Sequence, residues 1–305
     1  MARPVAFVFP GQGSQRIGML DRVPDAAAAR ALVADAEDCS GLPLGRLAAE
    51  GPVDRLTDTR AAQPLLFIAD LLWARAVSQH GIDPVVVAGH SLGEYAALAF
   101  SDVLDDLEAL SLVCERSRLM ADVAEAVGGT MAAVLGMDVD ATHAVVDGLD
   151  GVWVANENGP GQVVISGTHA GIEHAIGALS AAGARRVVPL EVAGPFHSPL
   201  MAPAAEAFGH TLARTTFRQA LVPVSQNTGA TPTDDADLIR GRLAAQIVSP
   251  VGWTAILEAF ATKGVEVLVE CGPGSVLTGI TRRYEGLEGV SADTDGLDRV
   301  SEVIG

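Results

Sequence analysis

The chain is poor in positive charge. Among its 305 residues, Lys and Arg number 20 against 38 Asp and Glu, Lys263 is the single lysine, and the formal net charge is −18. A protein that binds a nucleic-acid backbone needs a basic surface, so this balance argues against nucleic acid as a partner. It also disfavours binding to anionic membranes. A small anionic ligand remains possible, because it needs only a local cluster of arginines.

The chain also lacks the features of a secreted, metal-binding or membrane-spanning protein. Its three cysteines, Cys39, Cys114 and Cys271, have no metal-ligand spacing, so we expect reduced thiols in a cytoplasmic protein. The N-terminal stretch shows neither the long apolar core nor the cleavage site of a signal peptide. The apolar stretches are too short or too interrupted to cross a bilayer. With 49% hydrophobic and 19% charged residues, the composition predicts a folded protein with a sizeable core.

The order of predicted strands and helices divides the chain into a larger α/β part and an insert. A strand over residues 4–9 opens the chain, and a mostly helical region follows it. From about residue 128 the pattern becomes β-α-β-β-α-β, which is typical of ferredoxin-like domains. We therefore predict a ferredoxin-like domain at 127–192, inserted into a larger α/β domain formed by 1–126 and 193–305. The last part holds two further predicted strands, in LVPVSQNT and VEVLVECGPG, and helices near 235–247 and 253–263.

Residues 89–93 read GHSLG, a G-x-S-x-G pattern between a valine-rich predicted strand and a predicted helix. In such a turn the glycines let the backbone fold tightly, and the serine hydroxyl is lifted clear of the sheet at a helix N-terminus. Ser91 is therefore a candidate nucleophile. The alternative is a structural turn with an incidental serine, because the bare pattern arises easily in a chain with 33 glycines.

A serine hydroxyl needs a base to take its proton, and the chain offers seven histidines. His197 follows a predicted strand within VAGPFHSPLM, at the kind of loop where α/β proteins place their chemistry. It is either the base or a satisfied structural histidine, and the residues alone favour neither. His90 lies beside the nucleophile and is placed to contact a ligand. The other five histidines lie in helical or polar segments, where we expect them to be solvated.

An oxyanion hole requires two N–H donors near the nucleophile. Leu92 follows the nucleophile and supplies one of them in turns of this kind. The Gly-rich turn FPGQGSQ, with Gln12 between its glycines, is the best candidate for the second donor. The alternative is an ordinary turn between a strand and a helix. Because no segment completes G-x-G-x-x-G, we expect no dinucleotide cofactor.

Arg116 lies on the apolar face of a predicted helix. That face also carries Ala109, Leu112, Val113, Leu119, Met120 and Val123. A guanidinium keeps its proton, so burying it without an anion is unfavourable. Its partner is either a buried Asp or Glu, or the carboxylate of a ligand, which the guanidinium fork binds through two oxygens. The residues alone leave both possibilities open.

Together these segments resemble the malonyl-CoA:acyl-carrier-protein transacylase family, which includes free-standing acyltransferases of fatty acid and polyketide synthesis. The resemblance covers about residues 5–284. Its landmarks follow in order: FVFPGQGSQ, QPLLF, GHSLGEYAAL, CERSRLM, NENGPGQVVISG, FHSPLM, QIVSPVGW and ECGPGSVLTG. It implies an α/β-hydrolase-like core with an inserted ferredoxin-like small domain, in agreement with the strand order predicted above.

The resemblance also implies catalytic roles. Ser91 is similar to the acyl-accepting nucleophile of the family, and His197 to its base. Gln12 and Leu92 match the oxyanion-hole positions. Gln246 matches the position whose backbone carbonyl orients the histidine, so that no triad aspartate is required.

For substrate binding, Arg116 matches the arginine that pairs with the free carboxylate of a malonyl group. The other positions implied to face the substrate, or placed beside the nucleophile and base, are Gln63, His90, Phe196, Asn156, Asn158 and Gln162. Two departures concern this part of the chain. Gly159 stands where the family often has serine. Phe196 before the base is common in polyketide acyltransferases that choose malonyl, so the sequence leans towards that type.

The implied reaction is transfer of malonyl from malonyl-CoA to the phosphopantetheine thiol of an acyl carrier protein, through a malonyl-serine intermediate. No metal or other cofactor is expected. One alternative is transfer of another acyl group between carrier proteins. A second is a serine hydrolase or thioesterase, which would normally carry an acid at a strand end between Ser91 and His197, where none is evident. A third is a non-catalytic subunit that only docks carrier proteins, which an intact Ser91 and His197 disfavour.

Two arginine pairs are candidates for contact with a carrier protein. Carrier proteins are generally acidic, so docking on this acidic chain requires a local basic patch. Arg185 and Arg186 open the last predicted strand of the insert, and Arg282 and Arg283 follow the GPGSVLTG segment. The alternative is that these four arginines are solvated charges without a partner.

Overall fold

Two β-sheets organise the chain. A computed structural model describes residues 2–305, and in that part of the chain ten strands form one six-stranded and one four-stranded sheet. The strands are β1 (Val5–Phe9), β2 (Val86–Gly89), β3 (Thr130–Leu135), β4 (Val152–Gly159), β5 (Gln162–Gly167), β6 (Arg186–Pro189), β7 (Val224–Gln226), β8 (Gly229–Thr233), β9 (Val267–Glu270) and β10 (Glu288–Ser291).

Helices pack around both sheets. The α-helices are α1 (Ala26–Ser40), α2 (Leu44–Glu50), α3 (Val53–Leu56), α4 (Thr59–Gln79), α5 (Gly93–Phe100), α6 (Asp106–Val127), α7 (Val139–Val146), α8 (His169–Ala181), α9 (Ala202–Leu212), α10 (Ala236–Ala245), α11 (Trp253–Thr262), α12 (Val276–Thr281), α13 (Ala292–Asp295) and α14 (Leu297–Ile304). Short 3₁₀ helices lie at Met19–Arg22, Pro199–Met201 and Gln246–Val248. Across residues 2–305, every helix is too short or too polar to serve as a membrane span.

The six-stranded sheet brings two turns together. Its order is β10-β9-β1-β2-β7-β8, and every neighbouring pair is parallel except β7 and β8. β1 and β2 are buried along their whole length, as expected for apolar parallel strands covered on both faces. Phe9 lies opposite Gly89 in the register. The turns that follow β1 and β2 therefore leave side by side at the carboxyl edge of the sheet, where α/β folds bind ligands.

The four-stranded sheet is antiparallel and lies within residues 130–189. Its order is β4-β5-β3-β6, and its elements follow the chain as β3-α7-β4-β5-α8-β6, in the predicted sequence. Val134 and Ile165 belong to an apolar cluster separate from the clusters around the larger sheet. A backbone bridge between Asn156 and Val251 links the smaller sheet to the rest of the chain.

Some elements of the C-terminal part differ from the sequence prediction. The structure adds β8, β10, α9 and the short helices α12, α13 and α14 to the predicted elements. β8 reads GATPT and β10 reads EGVS, so neither has the apolar alternation or β-branched run by which strands are recognised. Both are edge strands of the larger sheet, formed because β7 and β9 offer them a pairing partner.

Two of the three cysteines depart from expectation. Cys39 of α1 and Cys114 of α6 form a disulfide, with their Cα atoms 6.6 Å apart and a sequence separation of 75. The expectation of reduced thiols is therefore wrong for this pair. Its cause is the side-by-side packing of α1 and α6, which residue spacing does not reveal. Cys271 is free and buried.

Candidate active site

The turn after β2 places Ser91 at the carboxyl edge of the larger sheet. Ser91 has φ 51°, in the left-handed region, and α5 begins two residues later. A side chain at Gly89 would collide with the Gly93 backbone, and one at Gly93 would collide with the Phe9 carbonyl. The two glycines are therefore required by close backbone contacts, which is the strand-to-helix geometry that the G-x-S-x-G pattern predicts.

Ser91 and His197 are hydrogen-bonded. Ser91 Oγ lies 2.7 Å from His197 Nε2. His197 Nδ1 lies 3.1 Å from the backbone oxygens of both Gln246 and Ser249. A carbonyl oxygen can only accept, so Nδ1 carries the proton and Nε2 is left as the acceptor for the serine hydroxyl. The imidazole thus has the tautomer of a general base.

The surroundings of His197 keep the imidazole neutral. Burial lowers the pKa of His197 to about 3, and the positive charge of Arg116 and the neighbouring His90 act in the same direction. The bonds to the Gln246 and Ser249 carbonyls oppose this shift. A neutral imidazole is the form that accepts a proton, so the base is ready at any pH near neutrality.

Two backbone N–H groups are available beside Ser91. Within residues 2–305, the N–H groups of Gln12 and Leu92 donate to no backbone or side-chain acceptor. Both residues line the same cavity as Ser91. Gly11 packs directly against the His90 carbonyl, so the turn after β1 is held against the serine turn. This pair fits the two donors of an oxyanion hole.

Arg116 is fully buried in the middle of α6, with 0% of its surface exposed. Its guanidinium donates to Gln63 Oε1 at 2.7 Å, and to Ser91 Oγ and Gln246 Oε1 at 3.1 Å each. Its Nε–H has no partner, and the guanidinium lies 5.4 Å from the centre of the Tyr95 ring. No carboxylate in the described part of the chain forms an ion pair with it. Glu94, which is buried, acts on Arg116 electrostatically but forms no ion pair with it, so the guanidinium has no carboxylate in direct contact.

A cavity of about 160 Å³ lies between the larger and the smaller sheet, with Ser91 and His197 in its wall. The other lining residues are Gln12, Gly13, Gln15, Thr57, Gln63, His90, Leu92, Met120, Met131, Asn156, Val164, Leu190, Glu191, Val192 and Phe196. Four predicted substrate-facing residues, Gln63, His90, Asn156 and Phe196, are among them. The wall combines apolar side chains with polar ones, as expected for a site that binds a small polar ligand.

The two remaining predicted positions of the insert are placed differently. Asn158 does not line the cavity, but its Oδ1 accepts a hydrogen bond from His90 Nε2 at 2.8 Å and so helps to orient that imidazole. Gln162 opens β5 opposite Leu135 and Gly159, at the end of the smaller sheet. Gln162 is not among the residues that line the cavity.

Residues that the sequence analysis did not single out hold the serine turn. Asn227 Oδ1 accepts a hydrogen bond from the Ser91 N–H at 2.7 Å. The Gln246 side chain, in addition to its predicted backbone role, donates to Ser91 O at 3.0 Å. Glu94 is buried and accepts from the Asn227 N–H at 2.9 Å. The polar triplet SQN at the end of a predicted strand was the available signal for Asn227, since strand ends of parallel sheets meet at one edge.

Taken together, the site combines a serine with a neutral base, two N–H donors for an oxyanion and, behind the cavity wall, a buried cation with no carboxylate in direct contact. The serine with its base and the two N–H donors are the groups that an enzyme needs to form an acyl-enzyme from an ester or thioester. The third suits an acyl group that itself bears a carboxylate.

Comparisons with known proteins agree with this chemistry. The chain matches the acyl transferase domain family over residues 6–293. It is 43% identical over 287 residues to the malonyl CoA-acyl carrier protein transacylase of Escherichia coli O157:H7, covering 91% of this chain and 92% of that one.

Solved structures are similar over nearly the whole chain. The acyl-carrier-protein S-malonyltransferase of Burkholderia pseudomallei 1710b superposes with a TM-score of 0.92 at 40% identity, covering 98% of this chain and 99% of the other. A malonyl-transacylase in complex with its type II PKS acyl-carrier protein superposes with a TM-score of 0.90 at 37% identity, with the same coverage.

Proposed function

Because the chain belongs to the acyl transferase domain family, we propose that it transfers a malonyl group from malonyl-CoA to the phosphopantetheine thiol of an acyl carrier protein. The observation that carries this proposal is the guanidinium of Arg116. It is buried and unpaired by any acid, and its Nη2 lies 3.1 Å from the nucleophilic oxygen of Ser91. A malonyl group bound through its thioester carbonyl at Ser91 extends a carboxylate towards this cation.

In the first half-reaction, His197 Nε2 accepts the hydroxyl proton while Ser91 Oγ attacks the thioester carbonyl carbon. The N–H groups of Gln12 and Leu92 stabilise the oxyanion of the tetrahedral intermediate. The carbon–sulfur bond then breaks, and the CoA sulfur takes the proton from His197. The product is a malonyl ester on Ser91.

In the second half-reaction, the carrier-protein thiol gives its proton to His197 Nε2, and its sulfur attacks the ester carbonyl. The same two N–H groups hold the oxyanion. Ser91 Oγ leaves and takes the proton back, so the enzyme is regenerated. Throughout, the two backbone carbonyls at His197 Nδ1 fix the imidazole and take the place of the acid in a Ser-His-Asp triad.

The other cavity residues bear on the choice of acyl group. Gln63 accepts from Arg116 and holds the guanidinium in place. Phe196 directly precedes the base and lines the cavity, so its ring restricts space near the acyl α-carbon. An unbranched malonyl group is therefore preferred to a methylmalonyl group, and a methyl in such a pocket is worth about 1–3 kcal/mol.

The fold proposal is an α/β-hydrolase-like core, residues 1–126 and 193–305, with a ferredoxin-like domain inserted at 127–192. It is supported by the mixed α/β structure, by the separate sheets, and by the β4-β5-β3-β6 order of the smaller one. The cytoplasmic location predicted from the sequence is kept as part of the proposal. The pathway served is fatty acid or polyketide synthesis.

The test is the intact mass of the protein after brief exposure to malonyl-, acetyl- and methylmalonyl-CoA, followed by addition of a phosphopantetheinylated carrier protein. A malonyl adduct should form and then disappear as the carrier becomes loaded. Ser91→Ala should give no adduct, since the covalent intermediate is lost. Hydrolysis of malonyl-CoA without loading of the carrier would favour the hydrolase alternative, and an adduct of unchanged yield on Ser91→Ala would remove Ser91 from the mechanism.

A further inference from the structure

Ser91 holds a backbone conformation that serine seldom adopts. Its φ of 51° lies in the left-handed region. Such a residue is strained by about 1–3 kcal/mol and keeps its conformation only where its surroundings fix it. The conformation turns Oγ towards His197 Nε2, at 2.7 Å. Groups that hold the Ser91 backbone therefore influence the reaction without touching the substrate.

The side-chain amide of Asn227 forms hydrogen bonds with the backbone at two points, the Ser91 N–H and the last carbonyl of β2. Its Oδ1 accepts from the Ser91 N–H at 2.7 Å, and its Nδ2 donates to the Gly89 carbonyl at 2.6 Å. Only one orientation of the amide satisfies both contacts. The reverse would set the NH₂ group against the Ser91 N–H and two carbonyl oxygens against each other.

The fold explains why an asparagine at this position reaches the serine turn. Asn227 directly follows β7, which runs parallel to β2 with Ser225 opposite Ala88. Asn227 is 4% exposed, and its own N–H donates to Glu94 Oε2 at 2.9 Å. Gln226 Nε2 donates to the other Glu94 oxygen at 2.9 Å. The first turn of α5 is thus tied to the end of β7, and Asn227 is fixed on both its backbone and its side chain.

The Asn227 contact also separates the roles of two consecutive N–H groups. The Ser91 N–H is occupied by Oδ1 of Asn227. The next one, of Leu92, has no acceptor within residues 2–305. A shift of the turn by about 1 Å would move both the nucleophile and this oxyanion donor, and misplacement on that scale lowers rates by about 100-fold.

We propose that Asn227 is a positioning residue for acyl transfer: its amide holds the left-handed backbone of Ser91, and so sets the Ser91–His197 contact and directs the Leu92 N–H into the cavity. This inference rests on the proposed function only for the identity of the acyl donor. The positioning of Ser91 by Asn227 would apply to attack on any ester or thioester. It requires a group with one acceptor and one donor at the Asn227 position.

The first test measures the Ser91 acylation rate constant with malonyl-CoA, and in parallel the rate of labelling by a fluorophosphonate, a serine-directed probe that needs no malonyl site. Asn227→Ala should lower both rates by about 10- to 100-fold, while the KM for malonyl-CoA changes by less than about twofold. The matched control is Thr228→Ala, which removes a hydrogen bond from the same loop to the Arg242 carbonyl and touches nothing at Ser91. Thr228→Ala should keep both rates within about twofold.

The second test uses Asn227→Asp. As a carboxylate, the new side chain has no donor for the Gly89 carbonyl. Once protonated it has one donor and one acceptor, like the native amide, and burial raises the pKa of such a carboxyl. Acylation by this variant should therefore rise by about threefold or more from pH 8 to pH 5.5, while the native rate does not rise.

Two results would overturn the role of Asn227. One is native acylation and labelling rates in Asn227→Ala, or a change confined to KM. The other, which applies also if Asn227→Ala does not fold, is a native, pH-independent rate in Asn227→Asp. If the native protein forms no malonyl adduct but is labelled by the fluorophosphonate, the proposed function fails, and the labelling rates of the variants still decide the role of Asn227.

Discussion

At the scale of single residues, the hydrogen bond from Arg116 Nη2 to Ser91 Oγ, 3.1 Å long, joins a buried cation to the nucleophile. The remaining hydrogen bonds of the guanidinium go to the neutral amide oxygens of Gln63 and Gln246. Amide oxygens solvate a buried cation only in part, because they do not cancel its charge. The site is therefore built to favour a ligand that brings its own negative charge.

Arg116→Ala should reduce malonyl transfer but leave acetyl transfer unchanged or faster. Malonyl supplies a carboxylate for the guanidinium and acetyl does not. The loss should be about 2–4 kcal/mol, or about 30- to 1000-fold in kcat/KM for malonyl-CoA. The measurement compares both donors in native protein and variant. The control is Arg118→Ala on the same helix, whose side chain is exposed and pairs with Glu115 and Asp122.

An equal loss with both donors in a folded Arg116→Ala protein would make Arg116 a structural residue. Buried Glu94, which acts on Arg116 electrostatically without an ion pair, would then be the acid that balances its charge.

The pH dependence of acylation should reflect the buried state of His197. The base acts only when neutral, so activity is lost as pH falls through its pKa. A histidine with an ordinary pKa near 6.5 would lose activity about tenfold between pH 8 and pH 5.5. Because burial and the Arg116 charge lower the pKa of His197 to about 3, the single-turnover acylation rate should change by less than about twofold over this range. A tenfold fall with the fold intact would show that the imidazole titrates normally.

Ser91, His197 and Arg116 could be found in the sequence because each is a polar residue at a position where folding and packing alone would not call for one. A serine between two glycines at a strand end and an arginine on an apolar helix face both indicate function. For Asn227 the only signal was a polar triplet at a strand end, and its contact with Ser91 depends on the register between β2 and β7, which the sequence does not show. Gln162 was expected at the site by resemblance, and it does not line the cavity.

At the scale of elements, strand order and strand ends carried most of the predictable information. The buried strands β1, β2 and β9 are apolar runs bounded by Gly-rich turns, and the chain order of the smaller sheet follows its alternating pattern. Edge strands and short C-terminal helices were not predictable, because tertiary pairing and not local preference forms them. The disulfide between α1 and α6 depends on helix packing in the same way.

Helix α4 contains an acid that its surroundings do not stabilise. Asp70 is fully buried, neither of its carboxylate oxygens has a hydrogen-bond partner within residues 2–305, and it packs against Gly272. Burial raises the pKa of Asp70 well above its ordinary value, and the nearby Glu270 carboxylate raises it further. The folded state therefore binds a proton that the unfolded chain has already released. Stability falls as pH rises from the unfolded pKa through the folded one.

Asp70→Asn should raise the free energy of unfolding, and raise it more at pH 8 than at pH 5.5. Within the window between the two pKa values, each pH unit changes the native stability by about 1.4 kcal/mol, and the variant lacks this loss. Urea unfolding at both pH values measures the effect. Asp35→Asn, an exposed change on α1, is the control and should show no such pH dependence. A gain for Asp70→Asn that is the same at both pH values would indicate that Asp70 does not titrate in this range.

At the scale of the whole molecule, a net charge of −18 opposes the approach of an acidic carrier protein. Against that background, two arginine pairs distant in sequence meet at one end of the smaller sheet. Arg283 Nη1 donates to the Pro160 carbonyl in the β4–β5 turn at 2.9 Å. Gly136 donates to Gly161 in the same turn and packs against the Arg185 side chain. Asn158, two residues before Pro160, bonds to His90, so this end of the sheet lies close to the rim of the cavity.

The four arginines of this patch, Arg185, Arg186, Arg282 and Arg283, are exposed. None of them forms an ion pair within the described residues. An acidic partner would explain why an acidic protein keeps these arginines exposed and unpaired, since opposite charges favour docking. Solvated charges without a partner remain the alternative.

If the patch docks the carrier protein, reversing Arg282 and Arg283 to Glu should raise the KM for the carrier and leave self-acylation by malonyl-CoA unchanged. The matched control is the reversal of Arg30 and Arg214, which are exposed, unpaired and outside the patch, because it changes the net charge by the same amount. Exposed charges interact within about 8–10 Å at moderate salt, so the native KM for the carrier should also rise with ionic strength. A carrier KM that does not respond to salt, or that rises equally in the control, would exclude the patch as the docking site. If the reversal instead raises the KM for malonyl-CoA and leaves the KM for the carrier unchanged, the arginines bind the phosphates of CoA. The same cations that attract an acidic protein surface also bind phosphate.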